Sequence, residues 1–344
     1  MQHEVIKRQK LLNGQGHVAE PGWARHPVWM YDRRDIKAPK IRVKEWDYYM
    51  AMNDRFAAAF TISDLGYAGM VSVSVLDLTG PREHTETVLV PLTMGRLGLR
   101  ASSASGDVDF KNRRVHLRCT LRGGFRHIQC VFHAFEKGET LKADLLIRQP
   151  AAESMCIATP WAENPKCFYY NQKINCMPVN GVVSVGSREY RFRGSQDMAV
   201  LDWGRGVWTY DNTWYWGTAS TRIDGEPFGI NLGYGFSDRS SATENAVFYR
   251  GKIHKLGQVT FDIPRRADGS PDDARAWTIS SDDGRFEAIF VPVLDRSALI
   301  DLKAFSSSQH QVFGHLTGTA ILDDGSEIKM RDMMAALEEV HNRY

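Results

Sequence analysis

Short segments in which apolar and polar residues alternate recur along most of this 344-residue chain. A period of two restricts such a chain to extended strands with one buried face. Phe56, Ala58, Phe60 and Ile62 share one side of their segment. Val71, Val73 and Val75 alternate with Ser72 and Ser74, and Leu141, Ala143, Leu145 and Ile147 alternate with Lys142, Asp144 and Leu146. Turn-forming clusters separate the segments: Ser105-Gly106-Asp107, Arg122-Gly123-Gly124, Lys137-Gly138, Asp224-Gly225, Asp283-Gly284 and Asp324-Gly325. Helical spacing is strongest at residues 330–343, where Met333, Met334, Leu337 and Val340 recur as in a helix or a strand leading into one. So many short strands predict an all-β protein of two antiparallel barrels or sandwiches, parting near Gly194-Ser195 into residues 1–195 and 196–344. Residues 264–273, rich in Pro, Gly and Asp, read as an exposed loop of the second unit.

Charge and cysteine usage exclude several classes. Lys and Arg number 43 against 41 Asp and Glu, so no overall field draws nucleic acid or an anionic membrane. The five cysteines are odd in number and lack a C-x-x-C pair, which predicts reduced thiols in the cytoplasm and no zinc site. Residues 1–16 are polar and basic, without the apolar stretch of a signal peptide. No apolar run approaches the ~20 residues of a membrane span. The chain has no H-E-x-x-H, no G-x-G-x-x-G opening a helix, no P-loop and no hydrolase elbow at Gly194-Ser195. Metal, nucleotide and serine-hydrolase chemistry are therefore not expected.

Residues 202–216 hold four of the nine tryptophans, Trp203, Trp208, Trp214 and Trp216, beside Asp202 and Arg205. An indole brings a large apolar area and one N–H that wants a partner, so such a run marks an organising core or the wall of a pocket. Asp224-Gly225 favours a two-residue type I′ turn. Counting outward from it, Ile223 opposes Glu226, Thr218 opposes Asn231, Trp216 opposes Gly233 and Trp214 opposes Gly235. One hairpin face then carries Trp214, Trp216, Thr218 and Ser220 with Gly229, Asn231, Gly233 and Gly235. Alternate strand glycines mean close approach to the backbone. Either the indoles lie over the glycines, or a ligand lies against indole and bare backbone with Thr218 and Asn231 as polar handles.

The motifs Arg193-Gly194, Leu201-Asp202-Trp203-Gly204-Arg205-Gly206, Trp214-Tyr215-Trp216, Asp224-Gly225 and Gly229-Ile230-Asn231-Leu232-Gly233 resemble the bacterial family called domain of unknown function 2804. Gly22-Trp23-Ala24-Arg25, Lys44-Glu45-Trp46-Asp47-Tyr48-Tyr49 and Ser63-Asp64-Leu65-Gly66-Tyr67-Ala68-Gly69 extend the resemblance through the N-terminal half. More distantly, the pattern is similar to the carotenoid hydratase/AttH superfamily, to which tocopherol cyclase and lipocalin-like Diels–Alderases look related. That resemblance implies tandem lipocalin-like barrels, a hydrophobic ligand and chemistry without metal or cofactor. Trp-Gly-Arg-Gly directly after Asp202 departs from the distant pattern.

Two catalytic candidates follow, Asp202 and Arg205. In an apolar, Trp-lined site the charged form of Asp202 is disfavoured, so it could protonate an alkene and let indole faces stabilise the resulting cation. Alternatively Arg205 pairs with Asp202 and fixes the Gly204-Arg205-Gly206 segment as a turn, or meets a ligand anion. Trp203, Trp208, Trp214, Trp216, Thr218 and Asn231 are the ligand-binding candidates. Asp64 and Tyr67, near Arg25 and His26 in the same half, form a second polar set, with Asp64 otherwise bracing the turn at Gly66. The expected function is a cofactor-independent hydratase, isomerase or cyclase acting on a hydrophobic unsaturated isoprenoid, acyl or polyketide-like molecule. The alternatives are a carrier of a lipid-like ligand and a protein whose tryptophans merely seal two barrels together.

Overall fold

A computed structural model describes residues 2–302 and 305–343, so the outermost ends of the two expected units, Met1 and Tyr344, lie outside it. The chain is all-β, two curled antiparallel sheets in the manner of tandem lipocalin-like barrels. Among the described residues helix is limited to the 3-10 turns Arg33–Asp35 and Lys40–Arg42, and no helix is long and apolar enough to cross a membrane. The main path of the first sheet runs, edge to edge, through Arg82–Pro91, Ala68–Asp77, Phe56–Asp64, Val43–Met52, Met198–Val207, Asn164–Val185, Glu139–Arg148, Phe125–Glu136, Val115–Arg122 and Val108–Lys111. The second runs through Lys252–Lys255, Ala246–Tyr249, Glu226–Tyr234, Asp211–Ile223, Glu327–Arg343, Phe305–Ile321, Phe286–Leu302, Trp277–Ser281 and Val259–Asp262. Hydrogen bonding therefore passes from one sheet to the other between Val207 and Asp211, and the strand Met198–Val207, which follows Ser195, belongs to the first.

The alternating segments behave as their period requires. Ala58, Phe60, Ile62, Val71, Val73, Val75, Leu141, Ala143, Leu145 and Ile147 all enter the core of the first barrel. A separate core fills the second, with Phe228, Ile230, Leu232, Trp277, Phe286, Phe290 and Leu337. Burying each such side chain contributes roughly 1.5–3 kcal/mol. Inside the first barrel, a void of about 10 Å³ lies among Asp47, Tyr49, Phe60, Ile62, Val108, Leu117, Cys119 and Ile128. That is room for about one water, not for a ligand.

A third apolar cluster joins the barrels back to back. Tyr48, Met50, Met52, Ala57, Ala59, Leu76 and Val200 of the first sheet meet Trp216, Phe313, Met334 and Ala336 of the second. These are the outward residues of their strands, so both faces of the strands at the junction are buried. This corrects the reading of residues 330–343. They lie in the strand Glu327–Arg343, where Met333, Ala335 and Leu337 point into the second barrel and Met334 and Ala336 into the junction. A strand buried on both sides loses its alternation, and an irregularity in pairing at Asp332, whose φ is +50°, puts Met330 and Met333, three residues apart, on the same barrel-facing side.

Candidate functional site

The hairpin forms as counted. Asp224 and Gly225 both have positive φ, +52° and +81°, as a type I′ turn demands. Ile223 pairs with Glu226, Thr218 with Asn231 and Trp216 with Gly233, while Gly235 lies past the last pair, Tyr215 with Tyr234. What covers the glycines is neither indole nor an open cavity. A methyl at Gly233 would lie 2.0 Å from Glu244 Oε1, and one at Gly229 would lie 2.8 Å from Cys176 Sγ. Cys176 sits where the pairing of the long strand Asn164–Val185 shifts register, between Ile174 and Met177. The shift presses Asn175 onto the hairpin, where its Nδ2 donates to Thr218 Oγ1 at 3.0 Å and to Ile230 O at 2.9 Å. Asn231 accepts from Trp216 Nε1 and donates to Glu244 O, both at 2.9 Å. Thr218 and Asn231 are thus satisfied by protein groups and fully buried.

Met198–Val207 is a strand, not a turn, and this decides the fate of the Asp202–Arg205 pair. Residues three apart on a strand face opposite ways. Arg205 points into the first barrel, where it donates to Asp47 Oδ1 at 2.9 Å, to Trp46 O at 2.7 Å, to Gly204 O at 2.8 Å and to Arg100 O at 2.7 Å. Its guanidinium lies 4.0 Å from the centre of the Trp203 ring, which faces the same interior. Asp202 points the other way, into the junction. Its Oδ2 lies 2.8 Å from Lys173 Nζ, and its Oδ1 accepts from Asn171 Nδ2 at 2.7 Å and Trp46 Nε1 at 3.1 Å.

A buried polar cluster is built around that contact. Lys173 Nζ stands 4.8 Å from the centre of the Trp216 ring and 3.9 Å from Glu244 Oε2, which also accepts from Tyr169 OH at 2.8 Å. Burial raises the Glu244 carboxyl above its ordinary range, Lys173 opposing and Asp202 reinforcing the shift. Glu244 Oε1 and Asn171 Oδ1 have no hydrogen-bond partner among the described residues. Glu338, likewise raised by burial, accepts from Trp214 Nε1 and Gln311 Nε2, each at 2.9 Å. Lys173, Glu244, Asn171 and Tyr169 are buried, whereas Asp202, Trp46 and Trp214 are partly exposed. The partly exposed carboxylate thus meets the Trp46 indole on one oxygen and an ammonium on the other. Trp208 completes the wall, its ring 6.0 Å from Trp46, 5.0 Å from Trp214 and 5.4 Å from Trp161.

Strand glycine allows this packing. Gly204 pairs with Trp46 on one side and Asn171 on the other, and a methyl there would meet the Trp46 indole at 2.0 Å. The structure therefore assembles Asp202, Trp208, Trp214 and Trp216 at one place, with Thr218 and Asn231 packed behind it, and leaves Trp203 and Arg205 inside the first barrel. Asp64 and Tyr67 are elsewhere. Asp64 accepts from the backbone N–H of Gly66 at 3.0 Å and of Gly95 at 2.7 Å and from Thr93 Oγ1 at 2.8 Å, bracing a turn. Tyr67 lies under Lys44, whose ammonium burial pushes down to about 7. Arg25 pairs with Glu153 at 2.8 Å and Glu4 at 3.0 Å, not with Asp64. Sequence reasoning missed Lys173, Glu244, Glu338, Asn171 and Tyr169. One usable signal was the polar run Asn171-Gln172-Lys173 inside an otherwise apolar segment, and another was Trp46 within a quoted motif.

Comparison with known proteins agrees with this architecture. Residues 2–344 match the model of the family described as domain of unknown function (DUF2804). The chain belongs to that family. No curated protein matches it. Among solved structures, this DUF2804 chain is similar to an AttH-like protein of Nitrosomonas europaea, with a TM-score of 0.54 and 12% identity over 91% of this chain and 97% of that one. It is also similar to kievitone hydratase from Nectria haematococca, with a TM-score of 0.51 and 10% identity over 98% of each chain. At such identities the likeness is one of fold.

Proposed function

We propose that this DUF2804 protein is a cofactor-independent enzyme of the hydratase, isomerase or cyclase type, acting on a hydrophobic unsaturated small molecule at the barrel junction. The observation that carries this reading is the partly exposed Asp202 carboxylate, bonded by the Trp46 indole and paired with Lys173. In the proposed reaction Asp202 takes a proton from Lys173 and passes it to an alkene carbon. Glu244, whose carboxyl burial raises, stands 3.9 Å from Lys173 and returns the proton. The cation left on the substrate lies against indole faces, which attract it. Addition of water, or loss of a proton from the neighbouring carbon, ends the cycle and returns one proton to the cluster. A fold shared with kievitone hydratase is compatible with this class of reaction. The five cysteines are all free thiols, in keeping with a reducing compartment such as the cytoplasm.

The test is turnover in D2O. The purified protein is incubated with isoprenoid, unsaturated acyl and polyketide-like alkenes, and products are read by mass spectrometry. Isomerisation or cyclisation is expected to place one deuterium on carbon, and hydration to add one D2O. Asp202→Asn should abolish turnover while tryptophan fluorescence still reports binding. A variant as fast as the parent on an identified substrate would remove Asp202 from the chemistry. Tight binding across the panel with no product would favour a carrier instead.

A further inference from the structure

The second sheet carries a polar cluster, from buried to exposed, that the junction chemistry does not use. Asp295 and His310 lie on adjacent strands of the long hairpin, two positions apart in register, because Ser297 pairs with His310. An irregularity in pairing between Pro292 and Leu294 sets Leu294 in the junction and puts Asp295, which is exposed, on the side of His310. Asp273, at the end of the loop before Trp277, closes over them. His310 Nδ1 lies 2.8 Å from Asp295 Oδ2 and 3.6 Å from Asp273 Oδ2. One ligand atom from each of the three falls within a 4.8 Å span.

We propose that Asp273, Asp295 and His310 bind a divalent transition-metal ion. Two groups each ~2.1 Å from a metal lie ~3.0 Å apart at a right angle and ~3.4 Å apart in a tetrahedron, close to the two spacings from His310. Asp273 supplies a second and independent observation. Its side chain is 8% exposed, and its Oδ1 is buried with no hydrogen-bond partner among the described residues. A carboxylate oxygen does not stay buried and unpaired without cost, and a cation is the partner it lacks. Glu339 stands directly opposite His310 on the next strand. Its Oε1 accepts from Tyr215 OH at 2.9 Å and its Oε2 is also unpartnered, so it is placed to hold a metal-bound water. One imidazole among carboxylates suits Mn2+, Fe2+, Co2+ or Zn2+ better than Ca2+. The ion takes the place of the hydrogen bond between His310 Nδ1 and Asp295 Oδ2, and it ties the loop carrying Asp273 to the barrel wall. Asp202 and its cluster lie on the opposite face of the strand Glu327–Arg343, so this site stands or falls apart from the proposed reaction.

Titration of chelator-treated full-length protein with Mn2+, followed by electron paramagnetic resonance, should show one ion bound per chain. Zn2+ should displace it, and Ca2+ at the same concentration should not. Asp273→Asn, close to isosteric, should weaken Mn2+ binding roughly tenfold or more, and His310→Ala should do the same. Bound Zn2+ should raise the melting temperature of the parent but not of these variants. Should His310→Ala not fold, Asp273→Asn alone decides. Absence of one-to-one binding, or parental affinity in Asp273→Asn, would overturn the site. Equal displacement by Ca2+ would overturn the choice of metal class.

Discussion

Lys173 and Asp202 face each other directly across two antiparallel strands, with Nζ 2.8 Å from Oδ2. They are the centre from which the indoles and the other carboxylates of the junction are arranged. Lys173 is the ammonium shared by Asp202 and Glu244, and it lies against the Trp216 ring.

Removing that cation should be costly. Lys173→Met strands Asp202 and Glu244 without their shared counter-charge, and a loss of about 3 kcal/mol is expected in urea unfolding. The double variant Lys173→Met/Asp202→Asn should recover part of the loss. If the two effects simply add, the pair is not coupled in solution.

Gly204→Ala should act through Trp46. The new methyl needs space the indole occupies, so the ring must move and its bond to Asp202 must lengthen or break. We expect a destabilisation of about 1–3 kcal/mol and a shifted tryptophan emission. An unshifted spectrum at parental stability would mean that the indole does not lie on Gly204.

Stability should depend on the protonation of Glu244. Its carboxyl is raised above the ordinary value of 4.5 by burial. The folded state therefore binds more protons than the unfolded one from pH 4.5 upward, and stability falls as pH rises toward the folded value. Glu244→Gln removes that dependence. Denaturation midpoints of parent and variant should lie closest near pH 4, with the variant gaining relative to the parent by pH 8. A constant difference across this range would contradict the assignment.

Arg205 is expected to matter for folding. Arg205→Met leaves Asp47 buried without its cation and frees three backbone carbonyls. A loss of about 3 kcal/mol or more should appear in equilibrium unfolding. A variant of parental stability would show that the network inside the first barrel is dispensable.

Legibility in the sequence followed the range of the interaction. The Asp-Gly turn fixed the hairpin register to the residue, since two positive φ values leave little choice of pairing. Period-two patterning placed Phe60, Val73 and Leu145 in the core because one face of each strand is dry. The same rule failed at residues 330–343, where a second dry face erased the alternation. Proximity in sequence also misled: Asp202 and Arg205 are three residues apart, yet they lie on opposite sides of the sheet.

What the sequence by itself determined is therefore local: strands, turns, the faces of singly buried strands and the presence of indoles beside an acid. Only the tertiary structure decided which groups meet. Lys173, Asp202, Glu244 and Glu338 come from three strands and a loop of two sheets, and no short spacing encodes their convergence. Alternation states that a face is buried. It does not state against what, because the covering surface belongs to other strands and to the other sheet.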